Sequence, residues 1–180
     1  MRIVPVCLLW AILGMLAVPS ASAGMLDNSN NEWAFDLNYT NQSSNASSTN
    51  VNFSWGHLIG QGYTEAGLSG TYQRLDDKTS GGNTVDATIA GPFFAWNWTP
   101  HSGTATGFLQ AGVGGIGGDL DKSFDFALDA ALGVKCFVGN SAAVTAQFFF
   151  QRLGSRKNTT GQNENFDGIA IGIALYTGRK

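Results

Sequence analysis

Residues 124–138 read FDFALDAALGVKCFV, and apolar residues occupy every second position of this stretch. The apolar face begins at Phe124, whereas Asp129 and Lys135 lie on the opposite face. Strict alternation over this length is typical of a β-strand whose two faces meet different surroundings. The stretch therefore predicts a long strand, and the nature of the two surroundings decides the fold.

Comparable alternation elsewhere brings the number of predicted strands to eight. They are residues 32–40, 51–60, 63–75, 84–98, 104–118, 124–138, 141–153 and 166–177. Short turns and longer polar segments alternate between them, which predicts an up-and-down meander with tight turns at one end and longer loops at the other. In the fourth segment the alternation changes parity near Gly91-Pro92, and we expect a β-bulge there.

The first 23 residues are predicted to be a secretory signal peptide. Arg2 provides a positively charged start, a short apolar run follows, and Ala21-Ser22-Ala23 is a small-residue cleavage sequence. Cleavage near Ala23 leaves a mature chain that begins at Gly24. The protein is therefore expected to leave the cytoplasm.

The composition favours a membrane over water around these strands. Only 13% of the residues are charged, whereas a soluble surface usually carries about 25–35% charged residues. Beyond the signal peptide no stretch approaches the roughly 18 consecutive apolar residues of a membrane helix. Without Arg2 the chain has 9 basic and 13 acidic residues, a net charge of −4 that favours no nucleic-acid partner.

We therefore predict an all-β fold, an eight-stranded antiparallel up-and-down transmembrane β-barrel. Pairing of the first strand with the last leaves no backbone polar group unsatisfied in lipid. The predicted organisation is a signal peptide (1–23), a short N-terminal segment (24–31), the barrel (32–177) and a C-terminal tail (178–180).

The alternative to a membrane barrel is a soluble lipocalin-like binding barrel, in which the apolar face of each strand points into the barrel. Such a barrel would carry Lys and Glu on its outer, polar face. Here the polar positions are mostly Ala, Gly, Ser and Thr, which fit the narrow interior of an eight-stranded barrel. We favour the membrane barrel.

Aromatic residues crowd the ends of the predicted strands. The stretch FFAWNWTPHSG, residues 93–103, places two Phe and two Trp directly before a short turn. Large aromatic side chains are expected at such a position where the strand leaves lipid through the headgroup layer. The girdle predicted at the short-turn end comprises Trp33, Tyr63, Trp96, Trp98 and Tyr176.

With its signal peptide, eight strands, loop asymmetry and girdles, the chain resembles the small eight-stranded outer-membrane β-barrels of Gram-negative bacteria, the OmpA/OmpX/OmpW-like group. The resemblance covers residues 32–177 and implies a bacterial outer-membrane location, contact with outer-membrane lipid and lipopolysaccharide, and recognition by the outer-membrane assembly machinery. Such barrels commonly end in an aromatic residue, whereas this chain ends ALYTGRK. Leu175-Tyr176 is therefore the candidate assembly signal, and we expect a monomer.

Charged residues on the inward parity are expected to form a polar network in the lumen. They are Asp36, Glu65, Asp125, Asp129 and Lys135. Because an unpaired charge in a narrow interior is costly, Lys135 is expected to pair with an inward carboxylate, first of all Glu65. An interior filled in this way predicts no continuous aqueous pore.

A second group of charges maps to the long-loop end. The cationic rim, which is expected to contact lipopolysaccharide phosphates, comprises Arg74, Arg152, Arg156 and Lys157. Arg74 and Arg152 share the outward parity and are expected to extend to the headgroups.

No catalytic residue, metal site or cofactor is predicted. A lipid A-modifying barrel enzyme would need a membrane-facing His with Ser and an acid, but His57 and His101 both map to the short-turn end. No helix is predicted after the Gly-rich residues 112–118, so a phosphate-binding loop is not favoured. We expect a non-enzymatic barrel with a structural or surface-interaction role. A narrow transporter or channel for small or apolar solutes and the lipid A-modifying enzyme stay as alternatives.

Overall fold

Eight antiparallel strands form a closed barrel in which each strand pairs with its neighbours in sequence and β8 pairs with β1. The computed structural model describes residues 26, 29–43, 46–77, 84–98, 104–139, 141–156 and 163–179. The strands are β1 (Ser29–Ser43), β2 (Ala46–Ile59), β3 (Thr64–Asp77), β4 (Thr84–Asn97), β5 (Ala105–Gly118), β6 (Phe124–Phe137), β7 (Ala142–Ser155) and β8 (Glu164–Arg179). A 3-10 helix, Asp119–Lys122, joins β5 to β6.

The predicted class of fold is thus confirmed, with shifted boundaries. β1 begins inside the segment 24–31, and β8 continues into the segment predicted as a C-terminal tail. The predicted signal peptide lies outside the described residues. Within the part of the chain that the structure describes, no helix is long and apolar enough to cross a membrane.

The sequence predicts longer loops at one end of the barrel than at the other. This prediction is wrong for the connection between β1 and β2. β1 ends at Ser43 and β2 begins at Ala46, so most of the polar segment 41–50 is strand and not loop. At the opposite end, the connection from β4 to β5 spans residues 98–104. The polar segment was mistaken for a loop because polar side chains such as Ser48 and Asn50 point into the barrel, where they are buried.

The β-bulge lies in a different strand from the predicted one. β4 keeps a single register against β3 along its whole length, so the bulge expected at Gly91-Pro92 is wrong. Ile89, only 3% exposed, points inward and keeps the ordinary alternation with the exposed Phe94. Among the described residues the register shifts instead between Phe124 and Phe126, where β6 pairs with β7, and between Asn41 and Ser43, where β1 pairs with β2.

The two faces of the barrel reverse the arrangement of a soluble protein. Every strand exposes large apolar side chains, for example Phe35, Phe53, Leu68, Phe94, Leu109, Leu132, Phe148 and Ile173. The interior instead buries polar and charged side chains, among them Glu32, Asn50, Glu65, Gln73, Lys135 and Gln151. This distribution is opposite to that of a lipocalin-like barrel, so the soluble alternative is not supported.

Candidate functional site

An ion-pair network lies inside the barrel and joins three strands that are not neighbours. Lys135 Nζ of β6 donates hydrogen bonds to Glu32 Oε2 of β1 at 2.6 Å and to Glu65 Oε2 of β3 at 3.2 Å. All three side chains are at most 4% exposed. The same ammonium lies 5.1 Å from the centre of the Phe108 ring. We call Lys135, Glu32 and Glu65 the lysine triad.

The sequence predicted one of the two ion pairs of the lysine triad, Lys135 with Glu65, and missed the pair of Lys135 with Glu32. The pairing of Lys135 with Glu65 follows from their shared inward parity and similar depth. Glu32 was overlooked although it occupies the inward parity of Ala34 and Asp36, and extending that alternation by one more position would have found it. Two carboxylates around one ammonium leave the triad with a formal charge of −1 when all are ionised.

A glycine makes room for the lysine triad. Gly56 of β2 lies directly across from Glu32 on one side and Gly67 on the other. A Cβ atom at Gly56 would lie only 2.0 Å from Glu65 Oε1. The absence of a side chain at this position therefore permits Glu65 to reach Lys135.

Two other predicted lumen acids lie inside the barrel with neutral partners. Thr145 donates to Asp36 through its hydroxyl at 2.8 Å, and Gln151 donates to Asp129 through its amide nitrogen at 2.9 Å. Neither carboxylate therefore has a cation as its hydrogen-bond donor. Together with the lysine triad they make the lumen acidic.

Asp125 is the one predicted lumen residue that the structure places elsewhere. The bulge between Phe124 and Phe126 turns Phe124 inward and leaves Asp125 exposed at the long-loop end. There Arg156 Nε donates to Asp125 Oδ1 at 2.7 Å, and this hydrogen bond raises the pKa of Arg156. The prediction failed because strict alternation no longer holds across a bulge.

Apolar clusters occupy both ends of the lumen. The short-turn cluster comprises Leu26, Ala34, Leu58, Phe137, Ala143, Ala174 and Tyr176. The long-loop cluster comprises Ile89, Phe124, Ala127, Leu153 and Phe166, with Leu75, Ile116 and Leu120 packed against it. The polar interior between them contains a cavity of about 90 Å³ that the lysine triad, Asp36 and Asp129 all line.

Tyr176 belongs to the short-turn cluster and not to the girdle. It is 4% exposed and packs edge-on against Phe137 with ring centres 5.9 Å apart. Its assignment to the girdle was wrong because Tyr176 shares the inward parity of Ala170 and Ala174, which are fully buried. The outward neighbour in the candidate assembly signal is Leu175.

The other predicted girdle residues lie at the short-turn end. Trp33, Trp96 and Trp98 are exposed, and Tyr63 lies 6.2 Å from Trp96 between ring centres. Trp55 also belongs to this group because its ring centre is 6.2 Å from that of Trp33. We call these five residues the short-turn girdle.

The predicted rim residues are only partly described. Arg74, Arg152 and Arg156 are exposed at the long-loop end, and Lys157 lies outside the described residues. Arg74 is paired across the strands with Asp86, so a carboxylate adjoins it. Arg152 is paired with Asn165 and shares its face with the exposed Phe150.

The described residues contain no group of three or more His, Cys, Asp or Glu side chains placed to hold a metal ion. His57 lies at the short-turn end, where its Nδ1 is 3.1 Å from Asn31 Oδ1. His101 and Ser102 lie outside the described residues. The one histidine among the described residues therefore lies away from the long-loop end.

Known structures share this architecture, although no protein-family model matches the chain and no curated protein matches it in sequence. Neisserial surface protein A (NspA) aligns with a TM-score of 0.56 and 15% identity over 82% of this chain and 95% of that chain. A de novo designed transmembrane β-barrel aligns with a TM-score of 0.52 and 11% identity over 83% and 97% of the two chains. Identities this low establish a shared fold alone.

The chain is a transmembrane β-barrel. The apolar outer face, the aromatic girdle and the closed backbone all meet the requirement that lipid imposes on a spanning sheet. The outer membrane enzyme PagL also aligns, but at a TM-score of 0.43 and 13% identity over 81% and 97% of the two chains, a similarity too low to inform function.

The lumen of this transmembrane β-barrel is filled rather than open. The lysine triad crosses the interior from β6 to β1 and β3, and an apolar cluster lies beyond the cavity at either end. Eight strands enclose little more space than side chains need. Among the described residues, side chains therefore occupy both ends of the lumen, and a cavity of about 90 Å³ lies between them.

Proposed function

We propose that this protein is a non-enzymatic barrel of the bacterial outer membrane, exported by the signal peptide 1–23, with a structural or surface-interaction role. The filling of the lumen in the described part of the chain carries the proposal: the lysine triad lies at its centre and an apolar cluster lies toward each end. The name of NspA places that structurally similar protein at a cell surface, which supports the same role here. We further propose that the chain works as a monomer after insertion by the assembly machinery.

Membrane fractionation tests the location. The folded protein should be extracted from outer membranes with detergent and should migrate faster on a gel before boiling than after it. A chain with Gly→Asp substitutions on the outer face, at Gly70 and Gly115, is the matched control, because charge in the apolar band should impair insertion. Recovery of the wild-type protein as a detergent-free soluble monomer would contradict the proposal.

Planar-bilayer recording tests the filled lumen. The purified barrel should show little or no stable conductance, since an apolar cluster toward each end of the lumen opposes the continuous passage of hydrated ions. A narrow transporter is the second candidate, and the polar cavity of about 90 Å³ is the observation that favours it. Large, reproducible single-channel steps that change in Lys135→Ala would favour this second candidate and contradict the filled lumen.

Lipopolysaccharide contact at the rim is a further part of the proposal. Arg152 carries it most directly because its exposed side chain lies on the lipid-facing parity beside Phe150. Charge reversal at Arg74 and Arg152 should weaken the association of the barrel with lipopolysaccharide, because phosphates lose charge-assisted partners. The exposed Lys122, which is the last residue of the 3-10 helix, provides the control reversal. Equal association of all variants would remove this part of the proposal.

Catalysis on lipid A is not part of the proposed function. His57 lies at the short-turn end and contacts Asn31 rather than a carboxylate. Expression of the protein should therefore leave the masses of lipid A species unchanged. A new lipid A species that depends on His57 or His101 would overturn this assignment.

A further inference from the structure

The cavity between the apolar clusters has an excess of hydrogen-bond acceptors and negative charge. Among the described residues that line it, four are acids and one is a base: Glu32, Asp36, Glu65, Asp129 and Lys135. When all are ionised, their formal charges sum to −3. Lys135 neutralises part of the lysine triad, whereas Asp36 and Asp129 are held by Thr145 and Gln151, which carry no charge.

Buried amide oxygens provide an independent observation. Asn38 and Gln151 both line the cavity and are at most 6% exposed, yet Asn38 Oδ1 and Gln151 Oε1 lack hydrogen-bond donors among the described residues. The orientation of the Gln151 amide follows from its partner, because only its nitrogen can donate to the Asp129 carboxylate. Its oxygen is therefore an acceptor that requires a donor or a cation.

The negative charge of the cavity and its unpaired amide oxygens both favour a cation as the occupant of the cavity. Buried acceptors and carboxylates are costly unless they are paired, coordinated or protonated. A small cation with part of its water shell satisfies both needs, since the ion offsets the carboxylate charge and its waters donate to the amide oxygens. The described residues contain no cluster of three metal-ligating side chains, so a fully dehydrated ion is not favoured.

We propose that the lumen cavity is a binding site for a small, partly hydrated inorganic cation, held by Asp129 with the Gln151 and Asn38 amide oxygens and attracted by Asp36. An ion of this kind is retained by the two apolar clusters rather than conducted. The site requires only the filled barrel and is independent of the role of the protein at the cell surface.

Thermal unfolding of the detergent-solubilised barrel tests the proposal, because a cation that binds only the folded state raises the unfolding midpoint by mass action. The protein is refolded and heated in NaCl, in KCl or in N-methyl-D-glucamine chloride at equal ionic strength, at a pH well above the carboxylate range. The bulky organic cation does not fit a cavity of about 90 Å³. We expect the midpoint to rise and saturate with Na⁺ or K⁺, but not with N-methyl-D-glucamine.

Isosteric variants locate the effect. Asp129→Asn should weaken the apparent affinity for the cation by roughly tenfold or more, because the site loses a charged ligand. Asp36→Asn should weaken it less. Asp167→Asn removes an exposed carboxylate from the outer face and should leave the affinity unchanged.

Two outcomes would overturn the proposal. Equal midpoints of the wild-type protein in all three salts would mean that water alone satisfies the cavity, and this result stands even if a variant fails to fold. Equal cation dependence of folded wild-type, Asp129→Asn and Asp167→Asn proteins would place the effect outside the cavity. Gel migration before and after boiling shows whether each variant has folded.

Discussion

The inner and outer faces of β6 show how differently two sides of one strand are specified. On the outer face, Leu128, Leu132 and Val134 are exposed, and any apolar residue of suitable size satisfies lipid at these positions. On the inner face, Lys135 needs Glu32 and Glu65 at hydrogen-bonding distance. The choice of residues on the outer face therefore depends on the surrounding lipid, whereas the choice on the inner face depends on individual partners in distant strands.

The largest expected effect is the loss of the central ammonium. Lys135→Met should lower the free energy of unfolding by about 3–5 kcal/mol, because Glu32 and Glu65 stay buried without their cation. Urea unfolding in lipid vesicles measures the change. The triple variant with Glu32→Gln and Glu65→Gln should recover part of the loss, and failure of that recovery would mean that the charges do not act as a unit.

A charge on the outer face of the same strand should have the next largest effect. Leu132→Arg should lower the free energy of unfolding in vesicles by about 2–4 kcal/mol, the cost of a cation near the middle of the bilayer. Leu132→Ile is the control and should behave like the wild-type protein. If arginine is tolerated as well as isoleucine, the outer face of β6 does not meet hydrocarbon.

Two glycines allow the inner and outer faces to be compared by the room that each leaves for a side chain. Gly56→Val should destabilise the barrel by about 1–3 kcal/mol, because the added side chain displaces Glu65 from Lys135. Gly115→Val should have little effect, since a Cβ there meets no atom within 4 Å. Unfolding of both variants in the same vesicles gives the difference, and equal destabilisation would contradict the assignment of inner and outer faces.

The smallest effect is expected at the exposed ion pair of the long-loop end. Asp125→Asn should leave the unfolding midpoint unchanged within error, because water screens the contact with Arg156. A marked loss of stability would instead mean that Asp125 acts inside the lumen, as its position in the alternation predicts.

The exceptions to the alternation show where local pattern is insufficient. Parity correctly assigns most of β6 and β8, including the lumen positions of Asp129 and Lys135. It fails at Asp125 because a bulge inserts one residue into the strand. For Ile89 the alternation was intact, but the assumption that apolar residues face lipid was wrong, since the ends of the lumen are apolar too.

The sequence by itself determined the number of strands, their alternating faces and their need for lipid, because a strand places successive side chains on opposite sides wherever it lies. Only the tertiary structure decided which charges meet. Glu32 and Lys135 are 103 residues apart, and barrel closure brings their strands to opposite sides of one lumen. The tertiary structure also decided which aromatic residues lie in the apolar clusters at the ends of the lumen, since the inward positions of Tyr176 and Phe124 depend on the packing of several strands. Periodicity is a property of one strand, whereas pairing across the lumen depends on the register of all eight.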